Sequence, residues 1–405
     1  MKILYISQYF APEIGATTNR ALANVRYLAN NGHEVTVLTE MPNHPRGIIF
    51  PEYKRKFFIR EKMEKFFVER VWVYTNPKKN FITRMLFYLS FAFFGSLRGI
   101  ISGKKYDIVY VTSPPLFVGI IGKNIKKLFP KIKFIFEVRD LWPDAAIEMG
   151  QLNNKSYRKF SYKLEASLYE ESDHIVAVTN RFKKTIIDKG VKAEKISVIR
   201  NGSDLTFRPV KPPQELLDKY KSQNEFLIVY AGNLGIAQNL KTVLEAAKKL
   251  ESENIKFIFA GTGPEAKMLN DFAVEQKISN VIFTGEIAKE KMSDYFAIAD
   301  CGIIPLKNIQ VFERTIPSKL FDYMSANLPI LLGVKGEAKE ILMDARAGIC
   351  FEPDDVNDLV DKIRYCKNHP EELSEMSQLG RDFVVEHFDR NKLAAKLDAI
   401  FSEVL

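Results

Sequence analysis

The residues best placed for chemistry are three glycine-bearing loops and one lysine at the start of a helical stretch. Ala231-Gly232-Asn233-Leu234-Gly235 follows the apolar run FLIVYA, with Gln238 shortly after it. Ala260-Gly261-Thr262-Gly263-Pro264-Glu265 follows KFIFA. In the first half, the loop from Gln8 to Thr18 carries Gly15 and Ala16 ahead of two threonines and a helical stretch. Small residues that open a helix after a strand offer backbone N–H groups to an anion, although an ordinary strand–helix turn has the same composition. The first-half loop is not GxGxxG, so the nicotinamide and flavin fingerprint is absent there. The fourth segment is Thr315-Ile316-Pro317-Ser318-Lys319-Leu320-Phe321-Asp322. Serine and lysine at a helix start suit a diphosphate, because the ammonium and the helix dipole both favour negative charge. Asp322 lies one turn further on, where a carboxylate accepts hydrogen bonds from ribose hydroxyls. A diphosphate at one end and a diol at the other describe a nucleotide-sugar.

The elements that must position these loops alternate between short apolar runs and helix-length amphipathic stretches. Lys2–Ser7, Glu34–Thr39, Asp107–Thr112, Lys133–Val138 and His174–Thr179 read as strands. Arg20–Asn31 reads as a helix closed by Gly32. The pattern restarts after the proline-rich Phe207–Pro213, the best linker candidate, with Phe226–Ala231, Lys256–Ala260, Asn280–Thr284, Cys301–Pro305 and Pro329–Leu332. Strands buried on both faces with helices between them make a parallel sheet. The fold class is therefore α/β: two Rossmann-like doubly wound domains facing a cleft, with ligands at the carboxyl ends of the strands. The expected division is 1–205, then 206–385, then a terminal amphipathic helix in 386–405 that packs back on the first domain.

Composition narrows the class. With 405 residues, 46% hydrophobic and 27% charged, the chain has ample material for two cores. Its 21 glycines and 18 prolines exclude collagen-like, mucin-like and disordered chains. Cys301, Cys350 and Cys366 lie far apart with no partner at ligand spacing, which excludes a disulfide framework and a structural zinc site. His33 and His44 read as structural or exposed. MKILYISQYF reads as a first strand rather than a signal peptide.

The net charge of +9 is unevenly spread: residues 1–200 hold 34 Lys and Arg against 18 Asp and Glu, and the rest hold 25 against 32. One half therefore faces something anionic, or carries an uneven set of solvated lysines. Met85–Leu97 is an uncharged, aromatic run between Arg84 and Arg98, too short for the ~20 apolar residues of a bilayer span but suited to the interface. Upstream, Tyr53–Arg70 interleaves basic residues with phenylalanine pairs. Anionic lipid attracts such a surface. The competing reading makes these segments a core helix and a solvated strand pair.

YFAPEIGATTNRA, DIVYVTSPPLF, FEVRDLWPDA, VIRNGSD, AGNLGIAQNL, FAGTGPE, FTGEI and IPSKLFDYMSANLPIL resemble, in this order and nearly end to end, the GT-B-fold retaining glycosyltransferases of family 4. Within that family the chain looks closest to bacterial O-antigen, capsule and exopolysaccharide enzymes, in the L-fucosamine-transferase-like branch. The resemblance implies that Pro317, Ser318, Lys319, Leu320 and Asp322 form the nucleotide-binding helix, with Asp322 where a glutamate normally holds the ribose. Gly232, Asn233 and Gln238 would face the donor diphosphate, with Gly15 and Ala16 closing from the other domain. Gly261, Gly263 and Val281–Gly285 would flank the base. Asp140, beside Arg139, stands where relatives carry His-Asp near the sugar. The family's paired acids are Glu, seven residues, Glu; eight back from Asp322 is Arg314, and Glu313 is one position off. Arg314 and Lys319 would supply the positive charge that relatives place after the first strand of the second domain.

The resemblance implies transfer of a sugar from a UDP-sugar, an N-acetylamino sugar by branch, with retention through front-face displacement. Asp140, Lys319, Arg314 and Glu313 would serve the reacting groups. No DxD-type acidic pair is visible, so neither a metal nor any other cofactor is expected, and the nucleotide-sugar is a substrate. The implied acceptor is a polyprenyl-diphosphate saccharide met at an anionic membrane surface, on the cytoplasmic side. Rival readings are a nucleotide-sugar 2-epimerase or hydrolase on the same fold, or a catalytically silent nucleotide-sugar-binding partner. No nucleic-acid recognition module is present.

Overall fold

The computed structural model describes every residue except Lys79, Met149, Gln151 and Asp204, together with the side chain of Ala16. Asp204, the end of the VIRNGSD segment, thus lies outside the described residues.

The chain divides into two compact units, Met1–Asn201 with Arg390–Leu405, and Gly202–Asp389. In the first unit the strands are β1 (Lys2–Ser7), β2 (Glu34–Glu40), β3 (Phe58–Met63), β4 (Phe66–Val71), β5 (Ile108–Thr112), β6 (Lys133–Val138), β7 (His174–Ala177) and β8 (Ile196–Val198). They form one sheet in the order β3-β4-β2-β1-β5-β6-β7-β8. Every pairing is parallel except β3 with β4. Period-two alternation sends Leu4 and Ile6 into one buried layer and Ile3 and Tyr5 into the other. Both layers are apolar because helices cover both faces, so the strands read as continuous hydrophobic runs.

The second unit repeats the plan with β9 (Phe226–Ala231), β10 (Ile255–Ala260), β11 (Val281–Gly285), β12 (Cys301–Pro305), β13 (Ile330–Gly333) and β14 (Gly348–Cys350), all parallel. Their order is β11-β10-β9-β12-β13-β14. Leu227 and Val229 enter one core, Ile228 and Tyr230 the other. In both sheets the strand order reverses beside the first strand, β1 or β9, which opens a ligand crevice at its carboxyl end.

Three expectations shift. The division falls at 201/202 and 389/390, not at 205/206 and 385/386. Leu205 and Phe207 pack into the second core, and Phe388 meets Phe321 with ring centroids 4.5 Å apart. The proline-rich segment is therefore part of the second unit: Phe207 is buried edge-to-face against Phe296. The terminal helix Arg390–Val404 buries Leu393, Leu397 and Phe401 in the first unit, where Phe401 meets Tyr110.

The third change concerns the uncharged run. It is the middle of a longer helix, Phe81–Gly103, with Arg84 and Arg98 inside it. Asn80 caps it by accepting from the Thr83 N–H at 2.9 Å. At 23 residues it is about 34 Å long. By length and composition it is a helix that could cross a membrane, yet one face is packed into the fold. Gly95, Gly99 and Gly103, spaced four apart, accept Ile121, Ile125 and Phe129 of the neighbouring segment so closely that a Cβ at each would come within 2.8 Å. The basic, phenylalanine-rich stretch upstream folds into the β3–β4 hairpin.

Candidate functional site

In the second unit the site begins where β9 ends. Gly232 takes φ +123°, a conformation that side chains disfavour. Its N–H donates to the Ala260 carbonyl at 2.8 Å, tying the first loop to the second. Gly261 then passes so close that a Cβ on it would lie 1.9 Å from the Gly232 carbonyl oxygen. Gly263 is as constrained, 2.4 Å from the Leu234 carbonyl and 2.6 Å from Asn233 Oδ1 in the same sense. On its other side the Asn233 amide faces Gly235, whose added Cβ would meet Asn233 Nδ2 at 2.6 Å and Gln238 Oε1 at 2.9 Å. These glycines let two strand ends nest, leaving Gly232 and Asn233 exposed on top.

Lys319 joins them from the helix Ser318–Ser325. That helix starts after Pro317 with no side-chain cap, as suits a first turn whose N–H groups face a ligand. The Lys319 Nζ lies 4.9 Å from the Tyr230 ring centroid. It also stands 3.0 Å from where a Gly232 Cβ would be. Burial pushes its pKa down to about 8, and the Asp322 carboxylate opposes that shift. Tyr323, one turn on, fixes the helix to the strand: its hydroxyl accepts the Ala231 N–H at 2.9 Å. Tyr230 donates to the Asn233 carbonyl at 2.6 Å. Gln238 Oε1 is buried with no hydrogen-bond donor among the described residues. The structure thus brings Gly232, Asn233, Gln238, Gly261, Gly263 and Lys319 together, with Pro317, Ser318, Leu320 and Asp322 on the same helix. Leu320 is fully buried in the core and holds the helix rather than a ligand.

Glu313 ends a short helix, Gln310–Glu313, and Arg314 follows as its C-cap. Gly336, at φ +76°, lies against this turn: a Cβ there would fall 1.9 Å from the Glu313 carbonyl oxygen. The turn leads directly into the Pro317 helix start.

In the first unit, Gly15 precedes the helix Ala16–Asn30, and an added Cβ would meet nothing within 4 Å. The helix starts with no side-chain cap among the described residues. The side chain of Ala16 lies outside the described residues. Asp140 follows β6 and lines a cavity of about 240 Å³ with Trp142, Phe117, Pro114 and Arg84. Burial among these apolar walls pushes its pKa up to about 6, with Arg139 pulling the other way. Beneath it Glu137 is fully buried and paired with Arg20 at 2.7 Å, and Thr112 also donates to it. Arg20 further donates to the carbonyls of Ile199 and Arg200. Among the described residues no group of three or more His, Cys, Asp or Glu side chains is placed to hold a metal ion.

Sequence reasoning missed Tyr230, Tyr323 and Arg20. Tyr230 was legible as the strand residue just before the Ala-Gly loop, and Tyr323 as the i+4 neighbour of Lys319 on one helix face. Arg20–Glu137 spans 117 positions and left no local signal.

Residues 18–207 match the model of Glycosyltransferase Family 4, and residues 214–383 match that of Glycosyl transferases group 1. The chain is a GT-B glycosyltransferase of the group 1 and family 4 type.

This glycosyltransferase is 26% identical over 382 residues to the putative colanic acid biosynthesis glycosyl transferase WcaI of Escherichia coli K12, covering 90% of this chain and 91% of WcaI. It is 23% identical over 214 residues to the putative teichuronic acid biosynthesis glycosyltransferase TuaH of Bacillus subtilis, 51% of this chain and 52% of TuaH. Among solved structures, Thermosynechococcus elongatus sucrose-phosphate synthase superposes with TM-score 0.74 at 15% identity, covering 100% of this chain and 98% of that one. Anabaena HepE in complex with UDP and glucose gives 0.72 at 15% identity, covering 99% of each. These likenesses establish the shared GT-B fold. In the glycosyltransferase the nested loops and Lys319 make one polar, cationic surface at the carboxyl ends of β9 and β10.

Proposed function

We propose that the protein is a retaining glycosyltransferase of bacterial surface polysaccharide assembly, moving an N-acetylamino sugar from a UDP-sugar to a polyprenyl-diphosphate saccharide. The observation that carries the reading is the Lys319 ammonium held over Gly232 at the start of an uncapped helix. A diphosphate on the Gly232 loop would receive the ammonium and the backbone N–H groups of Ser318 and Lys319. Asp322 would hold the ribose, and Gln238 Oε1, buried without a donor among the described residues, would accept a hydroxyl of the transferred sugar.

In this reading catalysis rests on stabilising the charge that grows on the departing diphosphate oxygen. Lys319 and Arg314 supply that stabilisation without a metal ion. The leaving oxygen itself takes the proton of the attacking hydroxyl on the same face, which preserves the anomeric configuration. Asp140 would bind sugar hydroxyls in the first unit's own cavity. WcaI and TuaH, by their names, belong to colanic and teichuronic acid synthesis, which supports a bacterial polysaccharide role.

The first unit would lie peripherally on the cytoplasmic face of the membrane. The β3–β4 hairpin supports this placement: Phe57, Phe58 and Phe67 are exposed, with Arg60 over the Phe67 ring and Arg98 over that of Phe58. Exposed Lys54, Arg55 and Lys56 lie just before it.

The test is release of nucleoside diphosphate from a panel of UDP- and GDP-sugars, with and without a lipid-diphosphate saccharide in detergent. Acceptor-dependent release from a UDP-N-acetylamino sugar is expected. Release independent of acceptor would replace the transferase with an epimerase or hydrolase.

A further inference from the structure

The helix Phe81–Gly103 has two unlike faces. Its glycine face is packed, but Ile82, Leu86, Leu89, Phe93, Leu97 and Ile101 form an exposed stripe at helical spacing, with Phe93 at 65% and Ile101 at 67% exposure. An apolar stripe on a surface helix is a contact surface for hydrocarbon or protein. Charge decides between them here: the adjacent hairpin and the residues before it present Lys54, Arg55, Lys56, Arg60, Lys62 and Lys65 to solvent. A basic rim around an apolar stripe complements an anionic bilayer.

At the N-terminal end of this helix, around its axis from the stripe, lie two cavities, each about 240 Å³, that share Arg84 and Tyr88. One holds Asp140 and Trp142 beyond β5 and β6. The other holds Tyr9, Asn43 and His44 beyond β1 and β2, and Asn76 beyond β4. An unbroken chain of ring contacts joins them, from His44 through Tyr9, Phe87, Tyr88 and Phe117 to Trp142, with centroids 5.3 to 6.3 Å apart. The loop carrying Asn43 and His44 is fixed from below, since both backbone N–H groups donate to the buried Glu13 carboxylate at 2.7 and 2.8 Å. Arg84, exposed, lines both cavities, with its guanidinium in no ion pair or hydrogen bond among the described residues.

We infer that Arg84 is the diphosphate anchor of a lipid-linked acceptor, with the saccharide in the Asp140–Trp142 cavity and the polyprenyl chain leaving past exposed Phe81 and Ile82 at the helix start onto the stripe and into the bilayer. This deepens the proposed function and rests on its acceptor class. Arginine matches the two phosphate groups with its planar fork. Trp142 offers a ring face to the sugar and Asp140 a carboxylate to its hydroxyls. Most of the stripe, from Leu86 to Ile101, lies further along the helix than Arg84, as the hydrocarbon lies beyond the diphosphate in the acceptor.

The inference is tested by binding alone, with no donor sugar present, so that its failure is distinct from failure of the transferase reading. The full chain is partitioned onto phosphatidylcholine vesicles, plain or doped with a polyprenyl-diphosphate saccharide. Dopant should tighten wild-type binding at least tenfold. Arg84→Ala should remove that increment and leave binding to plain vesicles unchanged, while Arg84→Lys retains part of it. Leu89→Gln with Phe93→Gln should weaken binding to both vesicles. A full dopant increment in Arg84→Ala overturns the anchor. Equally tight binding of inorganic diphosphate in calorimetry, without any vesicle, overturns the lipid assignment.

Discussion

Lys319 is held over Gly232 so closely that a methyl group on the glycine would stand 3.0 Å from the ammonium. Lysine and glycine come from different strand–helix units of the second sheet, and their approach makes the cationic end of the site. Gly232→Ala is expected to push the flexible Lys319 tip aside and to strain a backbone at φ +123°. The expected outcome is at least a tenfold loss of UDP affinity in calorimetry, with a stability loss of about 1 kcal/mol from the backbone. Gly261→Ala should be far more damaging to folding, since its Cβ would strike the Gly232 carbonyl rather than a mobile side chain. Equal UDP affinity in Gly232→Ala and wild type would remove Gly232 from the site.

With Lys319 on the donor diphosphate as proposed, its lowered pKa makes donor binding pH-dependent. Above about 8 the free enzyme loses the ammonium, so kcat/KM for the donor should fall through that pH. Bound diphosphate favours the charged form, so the same limb in kcat should lie higher. Lys319→Ala should lose about 10- to 100-fold in affinity, the worth of a charge-assisted hydrogen bond, and show no alkaline limb. Stability should move the other way. The folded pKa lies below the unfolded one, so the unfolded chain binds more protons and wild-type stability rises as pH climbs from about 8 through the unfolded value. Lys319→Met should therefore be more stable than wild type at pH 7 in urea titrations. A kcat/KM profile flat from pH 7 to 9 would refute the role.

Asp140 sets the acid side. If Asp140 binds sugar hydroxyls as proposed, its pKa of about 6 means that the carboxylate is lost below that pH, and activity should fall with an acid limb near 6. Here the folded pKa is raised above the unfolded value. The folded protein holds the proton more tightly, so this group's stability is fully present below the unfolded pKa and is lost as pH rises through about 6. Asp140→Asn should erase both effects: low activity with no acid limb near 6, and stability at pH 7.5 at or above that of wild type. An unchanged acid limb in Asp140→Asn would assign it to another group.

How much of this was legible from residue order follows the range of the signal. β1, β6, β9 and β12 match their expected bounds because each is an apolar run closed by turn residues. The SKLFD helix was legible because Pro317 fixes its start. Four things were not. Arg84 and Arg98 masked the true length of the Phe81–Gly103 helix, because a charge breaks a hydropathy run without breaking a helix that keeps one face dry. Phe207 looked like linker because its prolines are local, whereas its partner Phe296 lies far along the chain. The buried Arg20–Glu137 pair is a purely tertiary event, and the terminal boundary at 389/390 depends on Phe388 packing against Phe321.

The two faces of the Phe81–Gly103 helix should separate stability from membrane binding in one experiment. On the packed face, Gly99→Val places a branched side chain where even a Cβ would come within 2.6 Å of Ile125 Cδ1. Overpacking of this kind costs about 1–3 kcal/mol, which lowers the urea midpoint. On the other face, Leu89→Gln lies in solvent and should shift stability by no more than about 0.5 kcal/mol. Binding to vesicles with anionic lipid should respond in the opposite pattern: Leu89→Gln reduces it, and Gly99→Val, under conditions where it stays folded, does not. Reversing Lys54, Arg55 and Lys56 to glutamate should release the protein from anionic vesicles, and from neutral ones much less. The charge contribution is screened by salt, so raising ionic strength should mimic the triple reversal but leave the Leu89 effect in place. Equal wild-type binding to neutral and anionic vesicles would remove the electrostatic half of this surface and leave only the apolar stripe.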